Sequence, residues 1–235
     1  MEIIPVLILM GGIVALDTTA GPQILISEPI VTCSTVGLLF GRCETGLIMG
    51  MFFQLLFLGY KPLGAIRFTD SNMGAFIGTA SLLTGATVFD FNSGILKAAI
   101  IVALFYGIFV GFVGLHLTAI VRRMNAFLSD GITSRLEKDK LISITRWHLV
   151  GIGASFSRGA LMTVILIPFG AFLCGSVLLM PLNLVESLVY AVTIIWGTVC
   201  ASAVLLYWLR GTKRFFFVGF VGGVLWVMMI ISRAI

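Results

Sequence analysis

The chain alternates between long uncharged apolar runs and short charged breaks. Five of the runs, Ser71–Phe89, Ala98–Val121, Gly159–Val185, Ser187–Leu209 and Phe215–Ser232, are 18 to 27 residues long. A helix crosses a hydrocarbon core with about 20 apolar residues. The pattern therefore predicts an all-α polytopic membrane protein with five full spanning helices. Three shorter runs precede them: Ile3–Leu16, Pro29–Gly41 and Thr45–Tyr60. These predict shorter, broken or re-entrant helices at the N-terminal end.

Composition agrees. Of the 235 residues, 59% are hydrophobic and only 11% charged, against roughly 25% charged in a soluble domain, and the mean hydropathy is +1.13. No long linker or low-complexity stretch divides the chain. It reads as one membrane domain over 1–235, with short helices and the candidate site in 1–72. Spanning helices follow in 73–121, then a basic connection in 122–146, then the remaining spans in 147–235. Glu2 stands where a cleaved leader would be basic, and Asp17 closes the first apolar run. The mature chain is expected to start at Met1.

The position of charge matters more than its net value of +5. Arg122, Arg123, Arg135, Lys138, Lys140 and Arg146 cluster in one connection; Arg210, Lys213 and Arg214 cluster in another. Both are expected on the cytoplasmic side of the membrane. Two spans separate them, so the assignment is self-consistent. Within the first, Ser134-Arg-Leu-Glu137 is a capping-box pattern, predicting a short interfacial helix that either docks a soluble partner or simply connects. Nucleic-acid binding is not expected. Cys33, Cys43, Cys174 and Cys200 lie in or beside apolar runs with no CxxC spacing; they read as small buried hydrophobes. No metal or cofactor site is expected.

The stretch Pro29–Asn72 carries the most chemistry. Gly37–Gly41 and Gly46–Gly50 are GxxxG pairs that allow close helix approach. Lys61-Pro-Leu-Gly-Ala-Ile-Arg67-Phe-Thr-Asp70-Ser-Asn72 sets charges and helix breakers between apolar neighbours. This is either a polar loop or backbone opened along a wet cavity. Asp70 is a functional candidate as an ionisable residue at the edge of a span, or an N-cap for the following helix. Arg158, well inside the Gly159 run's helix, needs a carboxylate or carbonyl partner. It is read as structural or gating, with His148 near the start of the same helix. No HExxH, GxSxG, paired-Asp or Walker signature occurs, so the chain is not expected to be catalytic by itself.

Residues 29–65, EPIVTCSTVGLLFGRCETGLIMGMFFQLLFLGYKPLGA with its leading Glu28, resemble the N-terminal region of IIC components of mannose/fructose/sorbose-type phosphotransferase systems. The matching positions are Pro29, Gly41, Thr45-Gly46, Gly50, Gln54, Gly59, Gly64-Ala65 and Asp70. His148 and Arg158 recur at the family's spacing, and Phe215–Val221 is similar to a late family segment. The resemblance implies a sugar-translocating permease subunit working with a IID membrane partner in an oligomeric complex. A soluble IIA/IIB phosphocarrier would dock at the basic loops and phosphorylate the sugar. It implies a substrate site at Gln54 and Asp70, and the residues themselves add Asn72 and the cations Lys61 and Arg67 beside it, the two cations being either substrate contacts or interfacial anchors. Two positions depart from the family: Gln54 stands where Glu is usual, and Pro62 near the usual Asn. Two other readings stay open: a transporter of a non-hexose, anionic solute favoured by Lys61 and Arg67, and a scaffold or receptor that kept the fold.

Overall fold

A computed structural model of the chain describes residues 3–58, 69–136 and 144–208. Among them are seven α-helices: α1 (Ile3–Thr19), α2 (Pro29–Leu39), α3 (Cys43–Leu56), α4 (Ser71–Val88), α5 (Ser93–Leu136), α6 (Ile144–Gly175) and α7 (Leu182–Trp208). A 3-10 turn, Ser176–Leu179, links the last two.

The helix at the centre is α4. Every residue from Met73 to Leu83 is buried, and its main neighbours are α5 and α6. Its Gly, Ala, Ser and Thr content explains the position: small side chains let partner helices close in on all sides. A Cβ on Gly74 would lie 2.4 Å from the Gly107 carbonyl of α5. The same device joins α1 to α6, where a Cβ on Gly159 would lie 2.2 Å from the Gly11 carbonyl.

Among the described residues, three helices are long and apolar enough to cross a membrane: Ser93–Ser134, Thr145–Leu179 and Leu182–Ala203. Three of the five expected spans thus have a helix that meets this measure. The Ser71–Phe89 run forms α4, whose small and polar residues make it a protein-covered helix. The Phe215–Ser232 run lies outside the described residues. Large apolar side chains such as Phe105, Phe109, Phe112, Phe169 and Phe172 are exposed on the outer faces of α5 and α6, as a lipid-facing surface requires.

The segment Pro29–Leu56 forms a hairpin of two helices, each too short to cross the roughly 30 Å core. Gly37 and Gly46 meet at its crossing, where a Cβ on Gly46 would sit 2.7 Å from the Gly37 Cα. Gly41, at φ +66°, makes the turn, so the first GxxxG pair divides its labour: Gly37 packs and Gly41 bends.

Part of the expected basic connection is helical: Arg122–Leu136 continues α5 without a break, so Ser134 stands within a helix and does not cap a new one, while Glu137 and the rest of the expected interfacial helix, to residue 143, lie outside the described residues. The segment contains no Pro and a single Gly131, and extending an established helix is cheap. At 1.5 Å per residue the 44 residues reach about 66 Å, twice the hydrocarbon thickness. Cys33 and Cys174 are buried, Cys200 is half-buried, and Cys43 is exposed at the start of α3, which departs from the buried reading for that thiol.

Candidate functional site

One end of the bundle holds an open cavity of about 510 Å³. It is enclosed by the end of α1, the connection from α1 to α2, the start of α2, the end of α3, the start of α4 and one face of α5. Its polar groups are organised in three sets.

The first set is built on Asp17. This buried carboxylate stands in the last turn of α1 and gathers the chain that follows. Its Oδ1 accepts from the Ile24 N–H at 2.8 Å. Its Oδ2 accepts from the Ser27 N–H at 3.0 Å and the Ser27 hydroxyl at 2.8 Å. Asn72 Nδ2 donates to that Ser27 Oγ at 3.0 Å, tying the first turn of α4 to the same centre. Two residues of the gathered segment, Gln23 and Leu25, have φ of 53° and 67°. Non-glycine residues are strained in that region, and such strain persists where surrounding contacts over-determine the backbone. Both line the cavity.

The second set joins the start of α2 to the end of α3. Gln54 Nε2 donates to Glu28 Oε2 at 2.7 Å, and Gln54 Oε1 accepts from the Ile30 N–H at 3.3 Å. The amide thus serves a carboxylate and one of the free N–H groups at a helix start, a pairing that a neutral donor–acceptor side chain makes and an ionised Glu does not.

Asp70 anchors the third set. Its Oδ1 accepts from the Met73 N–H and caps α4. Its Oδ2 is 2.5 Å from Arg158 Nη1 and accepts from the Thr118 hydroxyl at 3.4 Å, while its own N–H donates to the Gly111 carbonyl. Gly114 leaves the room for it: a Cβ there would lie 2.6 Å from the Asp70 Cβ. Both members of the ion pair are almost fully buried. Arg158 Nη2 is also buried, with no hydrogen-bond partner among the described residues.

Of the candidates named from sequence, Gln54, Asp70 and Asn72 come together on this cavity. Arg158 reaches it through Asp70. His148 is exposed near the start of α6 and does not line it. Lys61, Pro62 and Arg67 lie outside the described residues. From the sequence, Asp17 reads only as the close of an apolar run, and Ser27 and Glu28 carry no role in the site. The available signal was an aspartate closing an apolar run. On α5, Leu115, Thr118, Ala119, Arg122 and Arg123 all line the cavity, a stripe at helical spacing. No group of three or more His, Cys, Asp or Glu is placed to hold a metal among the described residues.

Comparison with known proteins follows the same outline. The chain is 26% identical over 142 residues to the sorbose-specific EIIC component of Lacticaseibacillus casei, a match covering 60% of this chain and 47% of that protein. It is 25% identical over 168 residues to the mannose-specific EIIC component of Escherichia coli K12, covering 70% and 59%. The chain thus spans about half the length of these relatives. Two solved structures share the fold. One is a membrane protein at a TM-score of 0.64 and 21% identity, covering 98% of this chain and 92% of that one. The other is the mannose transporter ManYZ in complex with microcin E492, at a TM-score of 0.58 and 20% identity, covering 98% and 91%. The profile of the sorbose-specific IIC component of phosphotransferase systems matches residues 2–235, and the chain belongs to that family of membrane transport components.

Proposed function

We propose that this protein is the membrane permease subunit of a mannose-family phosphotransferase system, and that the cavity beside Asp70 is where it binds a sugar for inward movement. The observation that carries the reading is the cavity's polar lining. Carboxylates at Asp17, Glu28 and Asp70, amides at Gln54 and Asn72, and hydroxyls at Ser27 and Thr118 are held by one another around a single opening. Vicinal sugar hydroxyls need such a mixture of fixed acceptors and donors. Lys61 and Arg67, in the sequence between α3 and α4 and outside the described residues, remain candidates for substrate binding.

The orientation follows from charge. Arg122 and Arg123 stand at the cavity's end of α5, and a cytoplasmic basic cluster makes this end face the cell interior in a bacterial cytoplasmic membrane. A IID subunit would cover the exposed apolar stretch of α7. A phosphorylated IIA/IIB carrier would approach from the basic side and phosphorylate the delivered sugar. Arg158 would act as a positioning residue that holds Asp70.

The test is reconstitution with a IID subunit and phosphorylated IIB in liposomes, reading sugar phosphate formed from a panel of hexoses and amino sugars. Phosphorylation of at least one is expected. Failure with every sugar, while IIB remains phosphorylated and the subunits co-purify, overturns the proposal.

A further inference from the structure

Arg122 and Arg123 occupy an unusual place for basic residues at a membrane boundary. Side chains that only anchor a helix turn outward to headgroups. These two sit on the α5 stripe that faces the cavity, one turn beyond Thr118, whose hydroxyl donates to Asp70. At 1.5 Å per residue, four to five residues place them about 6–8 Å along the helix from the Asp70 floor. Among the described residues Arg158–Asp70 is the ion pair, and neither of these arginines joins one. Neither donates a hydrogen bond to a described protein group, although Glu28 and Asp17 line the same space. The cavity is therefore bipolar. Carboxylates and amides form the wall built from α1, α2, α3 and the start of α4, while two guanidinium groups form the α5 side with their donors uncommitted.

From this we infer that Arg122 and Arg123 form a subsite for an anionic substituent, a phosphoryl or carboxylate group, on a hydroxylated ligand whose ring lies against the Asp17–Ser27–Asn72 and Glu28–Gln54 wall. The inference rests on the sugar-binding reading and adds a charge requirement to it. A ring bound on the polar wall turns one substituent towards α5. Guanidinium groups match the geometry of phosphate and carboxylate oxygens and bind them more strongly than they bind a hydroxyl. Two sources fit the chemistry: a phosphorylated sugar before it leaves, or a sugar acid taken up as such.

The experiment uses the full chain in detergent or nanodiscs. Calorimetry measures mannose and glucose, their 6-phosphates, and glucuronate, at low and high salt. The wild-type protein is expected to bind at least one anionic form about tenfold tighter than the neutral sugar, with the preference shrinking as salt rises. In Arg122→Gln/Arg123→Gln the ratio of anionic to neutral affinity falls to within about twofold, while Arg146→Gln, outside the cavity, keeps the wild-type ratio. Preference for the 6-phosphates identifies the phosphoryl source; preference for glucuronate identifies the acid. Equal affinity for neutral and anionic forms in the wild-type protein overturns the inference and leaves sugar binding standing. So does a preference that survives in the double variant. Arginine-dependent binding of the anions with no binding of any neutral hexose supports the subsite and removes the neutral-hexose reading.

Discussion

Arg158, well inside α6, is held 2.5 Å from the carboxylate of Asp70, the residue that caps α4. The two stand 88 positions apart in sequence and join the central helix to its neighbour at the cavity floor. Removing one member of a buried pair strands the other charge and costs about 3–5 kcal/mol. Arg158→Gln and Asp70→Asn are each expected to lower the thermal midpoint in detergent sharply. The double variant should be more stable than the sum of the two losses implies. Strictly additive losses would show that the residues do not act as a pair.

Glycine positions separate close packing from simple flexibility. Gly159→Ala drives a Cβ into the Gly11 carbonyl, and overpacking of this kind costs about 1–3 kcal/mol. Gly153, in the same helix, has open space around its Cβ position. Gly153→Ala is expected to gain roughly 0.5–1 kcal/mol from reduced chain entropy. Thermal unfolding of both variants checks the contrast. Equal midpoints would refute the α1–α6 approach.

The helical pattern was legible because lipid and core impose it. The run 98–121 lies inside α5, and most of 187–209 lies in α7, but 159–185 runs from α6 through the Ser176–Leu179 turn into the start of α7, a break that apolarity alone does not announce. What the runs do not say is which helix is surrounded by protein: α4 has the same length signal as a lipid-facing span, and only its small residues distinguish it. A buried arginine's need for a carboxylate was also legible at Arg158. Its choice of Asp70 was not, because that choice depends on how α4 and α6 cross. Asp17 was hidden for a different reason. Its role depends on the path of residues 20–28, which includes positive-φ backbone at Gln23 and Leu25 that residue types alone do not announce.

Asp17 gives a local prediction. Its two oxygens take three hydrogen bonds from Ile24 and Ser27. Asp17→Ala leaves those donors without their acceptor and frees the strained segment. Hydrogen exchange at the Ile24 and Ser27 amides should rise by at least about tenfold, the equivalent of losing some 1.4 kcal/mol of local stability. Unchanged protection would mean that the segment is held by something else.

The Gln54–Glu28 bond predicts a pH response. Gln54→Glu places a second carboxylate 2.7 Å from the first, where two ionised groups repel and a shared proton relieves them. The folded variant then retains a proton that the unfolded chain releases, so its stability falls as pH rises from about 5 to 8. The wild-type protein, with a neutral amide at that position, should show a flatter profile in the same window. Thermal midpoints across that range decide it; parallel profiles would rule out the contact.

Tyr106 on α5 donates its hydroxyl to the Leu166 carbonyl at 2.6 Å, and Ser81 on α4 reaches the Ile167 carbonyl. Both contacts fall beside Pro168, which interrupts the hydrogen-bond ladder of α6. Tyr106→Phe is expected to cost about 1 kcal/mol, read as a lower unfolding midpoint. A midpoint equal to wild type would show that the hydroxyl contributes nothing to holding α6.

The unbroken length of α5 has a mechanical consequence. The stripe that faces the cavity and the stretch running on to Leu136 belong to one rod. From Thr118 to Leu136 that rod is about 27 Å long, so a tilt of a few degrees at its base moves its tip by about 2 Å, and a push on the tip tilts the base. A protein gripping residues 124–136 from the aqueous side would have a lever on the wall of the cavity, with no hinge between hand and load.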